Sequence, residues 1–189
     1  MRTRRSGSAV LSSILLIVTV VLAGCATPTV DVTSPSAQVR EADYEYFDTK
    51  RALVGRCDLI VVGDVISGRD ESLNVSIGPD RDSDPQALDY RISTVRVMTV
   101  IKGEAEPGNT IEVKQLLADG DALLQAGRKA ILFLEAYPDN IPYSLVNPGQ
   151  GQIGLERGAS DVRPDNRLFA DGQKQDDIVE ELKQLTKKK

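Results

Sequence analysis

The chain has 189 residues, a formal net charge of −5, two cysteines, and neither histidine nor tryptophan. Without histidine there is no Ser–His or Cys–His nucleophile pair and the commonest metal ligand is missing. The acidic balance argues against nucleic-acid binding, which needs concentrated Lys and Arg, and no GxSxG, P-loop or CxxC motif occurs.

The chain begins with Arg2, Arg4 and Arg5, followed by the charge-free 16-residue stretch Ala9–Gly24. A basic start and a short apolar run form a secretory signal. A spanning helix wants about 20 apolar residues, and this run gives way at once to ATPTVDVTSPSAQ. Its last four residues, Leu22, Ala23, Gly24 and Cys25, resemble the lipobox of bacterial lipoproteins. That resemblance implies diacylglycerol on the Cys25 thiol, cleavage between Gly24 and Cys25, and a chain held on the extracytoplasmic face of the cell membrane by two or three acyl chains. An ordinary secretory signal that happens to end before a cysteine is the alternative.

Loss of residues 1–24 removes three arginines and no acids, taking the net charge from −5 to −8. Residues 25–40 then read as a lipidated N-terminus and a flexible Thr/Ser/Pro stalk with a coil-like reach of roughly 20 Å; an irregular segment packed on the domain is the other reading. Residues 41–189 are expected to form one domain with a single core. With Cys25 acylated, Cys57 has no partner for an intramolecular disulfide and reads as a small buried apolar residue, an intermolecular bridge being the sharper option.

Within that domain a short helix is expected over Asp48–Val54, capped by Asp48 or Thr49. CDLIVVGDVIS is a buried strand in which Gly63 allows a bend or a close contact. Gly68–Leu88 is polar and Asp-rich and reads as a long loop. YRISTVRVMTVIKG is a long strand with Val95, Val97 and Ile101 on one face and a bulge near Ser93. TIEVKQL alternates, with Ile111 and Val113 inward and Glu112 and Lys114 outward. KAILFLEAY is apolar on both faces and therefore central, YSLVN and GQIGL are weaker strands, and Ile178, Leu182 and Leu185 put one apolar stripe on a C-terminal amphipathic helix.

The pattern predicts a mainly β domain, a small antiparallel barrel of five to six strands with a short N-terminal helix and a C-terminal helix. Asp58–Val65, Val95–Gly103 and Leu124–Leu134 resemble the opening strand, the strand ending in Lys-Gly and the L-x-x-G-x-x-hydrophobic-L-F-L segment of small exported netrin-like, OB-type barrels. The resemblance covers roughly Arg56–Gly158. It implies a fold and brings no catalytic residue.

Three other patterns bear on chemistry. Asp80, Asp82 and Asp84 occupy positions 1, 3 and 5 of a calcium loop, but Pro85 and Arg91 stand where Gly and a bidentate Glu belong, so an EF-hand is excluded and a looser Ca²⁺ site or a solvated acidic loop is left. Asp64 and Glu135 lie in apolar strands and are the candidates for a carboxylate-pair hydrolase. The turn Pro148–Gln152 offers amide donors, and Lys187–Lys189 either touches anionic headgroups or is a solvated helix end. The expected function is a non-enzymatic binding or structural module of the cell envelope. No catalytic residue, cofactor, metal or nucleic acid is expected; the partners are the membrane, through the lipid on Cys25, and an envelope protein or cell-wall component. A carboxylate-pair extracytoplasmic hydrolase is the alternative.

Overall fold

In the computed structural model, which describes residues 44–74, 87–138 and 140–187, the first element is the helix α1 (Lys50–Arg56). Thr49 is its N-cap, its hydroxyl accepting a 3.1 Å hydrogen bond from the Ala52 N–H, which satisfies one of the donors a helix start leaves unpaired. The other end is fastened from outside: the Lys102 ammonium donates to the carbonyls of Val54, at 2.8 Å, and Cys57. The signal segment, Leu22–Cys25, the stalk and Asp80, Asp82 and Asp84 lie outside the described residues.

Strands β1 (Leu59–Leu73) and β2 (Leu88–Lys102) pair antiparallel. The segment expected to loop out from Gly68 is strand as far as Leu73. It is exposed, and its charges pair across the ladders, Arg91 with Asp70 and Arg69 with Glu112. A strand solvated on both faces has no apolar alternation to betray it.

The bulge expected near Ser93 is carried by the partner strand, where Ile66 is the extra residue opposite Thr94 and Val95, and two further slips lie toward the other end of the ladder. Ser93 pairs regularly with Gly68, and the register slips fall at Ile60/Val61, Val62/Gly63 and Val65/Ser67. Ile66 and Met98 are extra residues of this kind, and both are exposed. One extra residue inverts a period of two, so Ile101, expected on the face of Val95 and Val97, turns to the opposite apolar cluster. Gly63 is required by close approach: a Cβ there would overlap the Val95 side chain.

Strand β3 (Thr110–Leu116) pairs antiparallel with β2, and β4 (Lys129–Glu135) antiparallel with β1. The three-residue β5 (Tyr143–Leu145) lies between them, antiparallel to β4 and parallel to β3. The five strands therefore close a ring, β1-β2-β3-β5-β4 and back to β1. Two more, β6 (Gln152–Glu156) and β7 (Ala159–Asp161), extend the sheet from β4. The fold is mainly β, as expected, but it is a seven-stranded mixed sheet instead of five or six antiparallel strands. The parallel pair is possible because the chain between β3 and β5 makes the long excursion through β4 that a parallel return requires.

β1 and β4 are apolar on both faces because both faces are covered. Leu59, Val61, Leu132 and Leu134 point to a cluster that draws on all five ring strands, with Val95, Val113 and Leu145. Ile60, Val62, Ile131 and Phe133 point the other way, under α1 and the helix α2 (Gln175–Lys187), where they meet Leu53, Ile178 and Leu182. Lys50 on α1 and Glu181 on α2 are paired at 2.7 Å. Asp176 and Asp177 in the first turn of α2 and Lys187 in its last follow the helix dipole. Among the described residues no helix is long and apolar enough to cross a membrane.

The motif residues have structural work in this ring. The Asp58 carboxylate accepts a 2.8 Å bond from the Ala136 N–H beyond β4. Gly103, at φ +88, leaves no room for a Cβ against the Asp58 carbonyl. The Gly127 N–H bonds the Val65 carbonyl at 2.8 Å.

Candidate functional site

Beside the ring lies a cleft of about 180 Å³ whose lining includes Tyr44, Tyr90, Lys114, Asp119 and Tyr137. Three of the chain's five tyrosines gather here. The cleft is built by β2, β3, β5 and the segment before α1, together with a pair of 3-10 turns over Leu117–Ala122.

Lys114 was expected to point to solvent, and its alternation with Val113 is kept: Val113 faces the ring interior and Lys114 the other side. That other side is covered. The parallel pairing of Val113 with Tyr143 and Lys114 with Ser144 lays the chain from Tyr137 to Leu145 over it, and Lys114 is only 3% exposed. Its ammonium donates to the Pro142 carbonyl at 3.1 Å and lies 3.4 Å from the centroid of the Tyr137 ring, a cation–π contact. Burial penalises the charged form and pulls its pKa down to about 8, opposed by the field of Glu135.

Asp119 is carried by the 3-10 turns, whose position is fixed from below by Gln115. That buried amide donates to the Ala122 carbonyl and accepts from the Leu124 N–H, both at 2.8 Å. The Tyr44 hydroxyl meets the two Asp119 carboxylate oxygens at 3.3 and 3.4 Å. Burial raises the Asp119 pKa, and the Tyr44 hydroxyl and the Leu116 backbone oppose it. Tyr44, Tyr90 and Tyr137 are all held above the usual phenol range, chiefly by burial. Tyr90 feels the fields of Tyr137 and Asp119. A gathering of desolvated titratable groups in a cleft marks a candidate site.

The turn expected to offer amide donors is used internally. Gln150, 2% exposed, clamps the Phe47 backbone, accepting from its N–H at 2.8 Å and donating to its carbonyl at 2.9 Å. Asn147 donates to the Glu45 carbonyl at 2.9 Å and accepts from the N–H groups of Gly149 and Gln150 at 2.7 and 3.0 Å. Together they pin the segment that places Tyr44 on the cleft. The buried amides compensate buried backbone groups, as such groups require.

Asp64 and Glu135 are not brought together. Asp64 pairs with Lys129 at the start of β4 and Glu135 closes that strand, a separation of about 20 Å at the usual rise per residue. Glu135 is bound to Arg56 at 2.6 Å. Cys57 is buried, its Sγ donating to the Leu53 carbonyl at 3.0 Å, and burial pushes the thiol up to about 12. A larger groove of about 310 Å³ carries Arg128, Lys129 and Arg163 beside Asp121 and Asp161, but Arg163 is engaged there, at 3.0 Å to the Asp121 carbonyl and 3.5 Å to Asp165.

No protein-family model and no curated protein matches the chain. Sequence alone missed the cleft because its lining comes from Tyr44, Tyr90, Lys114, Asp119 and Tyr137, far apart in the chain and in no motif. The available signal was modest: in a chain of 4% aromatic content, tyrosines flank most of the elements that meet there.

Proposed function

We propose that this chain is a lipid-anchored protein of the cell envelope, non-enzymatic, whose ring of strands is an OB-type, netrin-like barrel presenting the tyrosine cleft as a binding site on the extracytoplasmic side. The observation that carries the reading is Lys114. A lysine buried against a tyrosine ring with its pKa drawn down costs the fold stability, and groups kept at such a cost belong to function more often than to packing. The closed ring and its parallel β3–β5 contact support the barrel assignment. The absence of a second carboxylate beside Asp119 among the described residues that line the cleft favours binding over paired-acid hydrolysis.

The lipobox Leu22-Ala23-Gly24-Cys25 supports the anchor, and the tether would reach the domain at Tyr44, on the rim of the site. Growth with an alkyne-tagged fatty acid tests it. The wild type should carry the label and sediment with membranes, and Cys25→Ser should lose the label and either stay uncut or leave the membrane fraction. An unlabelled, soluble wild type would overturn the anchor.

A further inference from the structure

We propose that the free edge of β1, from Ser67 to Leu73, pairs with the same edge of a second copy of this chain, the two strands running antiparallel about a two-fold axis at Asp70. None of these residues lines the cleft, and the proposal does not depend on it.

β2 accompanies β1 from Ile60 to Leu73, but β4 does so only as far as Asp64. The last bonds on that side run from the Val65 N–H to the Arg128 carbonyl at 2.9 Å and from the Gly127 N–H to the Val65 carbonyl at 2.8 Å. Beyond them, among the described residues, nothing pairs with the free side of Ser67–Leu73. The segment keeps an unbroken register with β2, from Thr94 to Leu88, and Ser67 to Ser72 are all exposed. It holds neither proline nor lysine and no bulge, the usual devices that keep an edge from accepting another strand. Its outward N–H and C=O groups are therefore open to strand addition.

What selects a second copy is the order Arg69-Asp70-Glu71. A two-fold axis perpendicular to the sheet leaves every side chain on its own face, so each allowed register is centred on a residue. Centred on Arg69, the pairing sets two guanidiniums opposite one another, and centred on Glu71 two carboxylates; like charges directly opposite destabilise a sheet. Registers centred further out shorten the ladder and leave Arg69 and Glu71 unmatched. Centred on Asp70, the pairing sets Arg69 opposite Glu71 of the second copy and Glu71 opposite its Arg69. The two Asp70 carboxylates meet at the axis, each held by the Arg91 guanidinium of its own copy, so the charges there balance. On the other face Arg69 donates to Glu71 of its own strand at 3.0 Å and to both Glu112 oxygens at 2.5 and 3.2 Å. Those bonds use three of its five donors, and about half of its side chain is still exposed. One strand from each copy makes a small interface, which puts the association in the transient class.

The test is sedimentation equilibrium of residues 26–189, which retain every described residue, at concentrations up to about 1 mM. The wild type should pass from monomer to dimer. Arg69→Glu makes both members of the cross-strand pair acidic and Glu71→Arg makes both basic, so each variant should self-associate at least tenfold more weakly. An equimolar mixture of the two restores opposite charges at every cross-strand position and should form a one-to-one complex at least tenfold tighter than either variant forms with itself. Circular dichroism checks that both variants are folded, and a readout on the wild type needs no variant: amide exchange within Ser67–Leu73 should slow as concentration rises. A wild type that stays monomeric overturns the proposal, as does a mixture no tighter than its components. A monomer whose outward Ser67–Leu73 amides are already protected overturns it too, and would put another segment of the same chain on this edge.

Discussion

The inside of the ring and the cleft beside it are made from the same strands, and they obey opposite rules. Inside, Leu59, Val61, Val95, Val113, Leu132 and Leu134 fill the space with aliphatic side chains alone. On the far side of β3, one residue from Val113, lies Lys114, against the Tyr137 ring and in the lining of a cleft that Asp119 also lines. Burial of apolar side chains stabilises the first region, whereas the second holds desolvated charge that the fold would be more stable without. The difference separates what holds the domain together from what it keeps at a cost in stability.

The contrast can be broken most strongly from the ring side. Leu132→Ala removes a fully buried side chain and should cost about 3–4 kcal/mol in urea unfolding. A cost below about 1 kcal/mol would mean the ring interior is not tightly packed.

Next is the clamp that joins the two regions. Gln150→Leu leaves the Phe47 N–H and carbonyl without their side-chain partner, a loss of about 2 kcal/mol, and should free Tyr44 from the cleft. Hydrogen exchange should accelerate at Phe47 and leave Leu132 protected; equal acceleration at both would show that the clamp belongs to the global core.

Smallest is the cleft's own rim. The Tyr44 hydroxyl sits 3.3 Å or more from Asp119, so Tyr44→Phe should change stability by less than about 1 kcal/mol and, by removing a group that opposes the upward shift, raise the Asp119 pKa slightly, as followed by carboxyl NMR. A change as large as that of Gln150→Leu would mean that the tyrosine holds the segment in place.

Cys57 offers a parallel check on burial. With its thiol pushed up to about 12, it should resist iodoacetamide at pH 8 in the native state and react on unfolding. Rapid native labelling would show that the junction between α1 and β1 opens.

The legible part of this molecule was its periodicity. Ile178, Leu182 and Leu185 announced α2, and KAILFLEAY announced a strand covered on both sides, because these patterns are imposed by burial on elements that contact one another over their length. Three things escaped. The outer part of β1, from Gly68 to Leu73, reads as loop in the sequence because charged side chains on both faces carry no period. The two slips at Ile60/Val61 and Val62/Gly63 were invisible because an inserted residue leaves composition unchanged, so Ile101 was assigned to the wrong cluster. Lys114 was assigned to solvent because alternation tells which face a residue takes and says nothing about what later covers that face. In this case the cover is a parallel strand contributed from about thirty residues further along. The cleft follows from that last fact, and so it could not be read before the topology was known.

The central claim is that Lys114 is held in the cleft against the preference of the fold, and its pH dependence tests it most directly. Below about pH 8 the folded chain carries a buried, protonated Lys114 at a cost. Between there and the ordinary lysine value of 10.5 the unfolded chain binds a proton that the folded chain has lost, so stability rises with pH. The field of Glu135 and the ring of Tyr137 act on the group, and both are present in both members of the pair to be compared. Urea unfolding of the wild type and of Lys114→Met should show the wild type gaining about 2 kcal/mol on the variant between pH 7 and pH 10. A difference that stays flat across that range would show that Lys114 titrates as an ordinary surface lysine and would contradict the account.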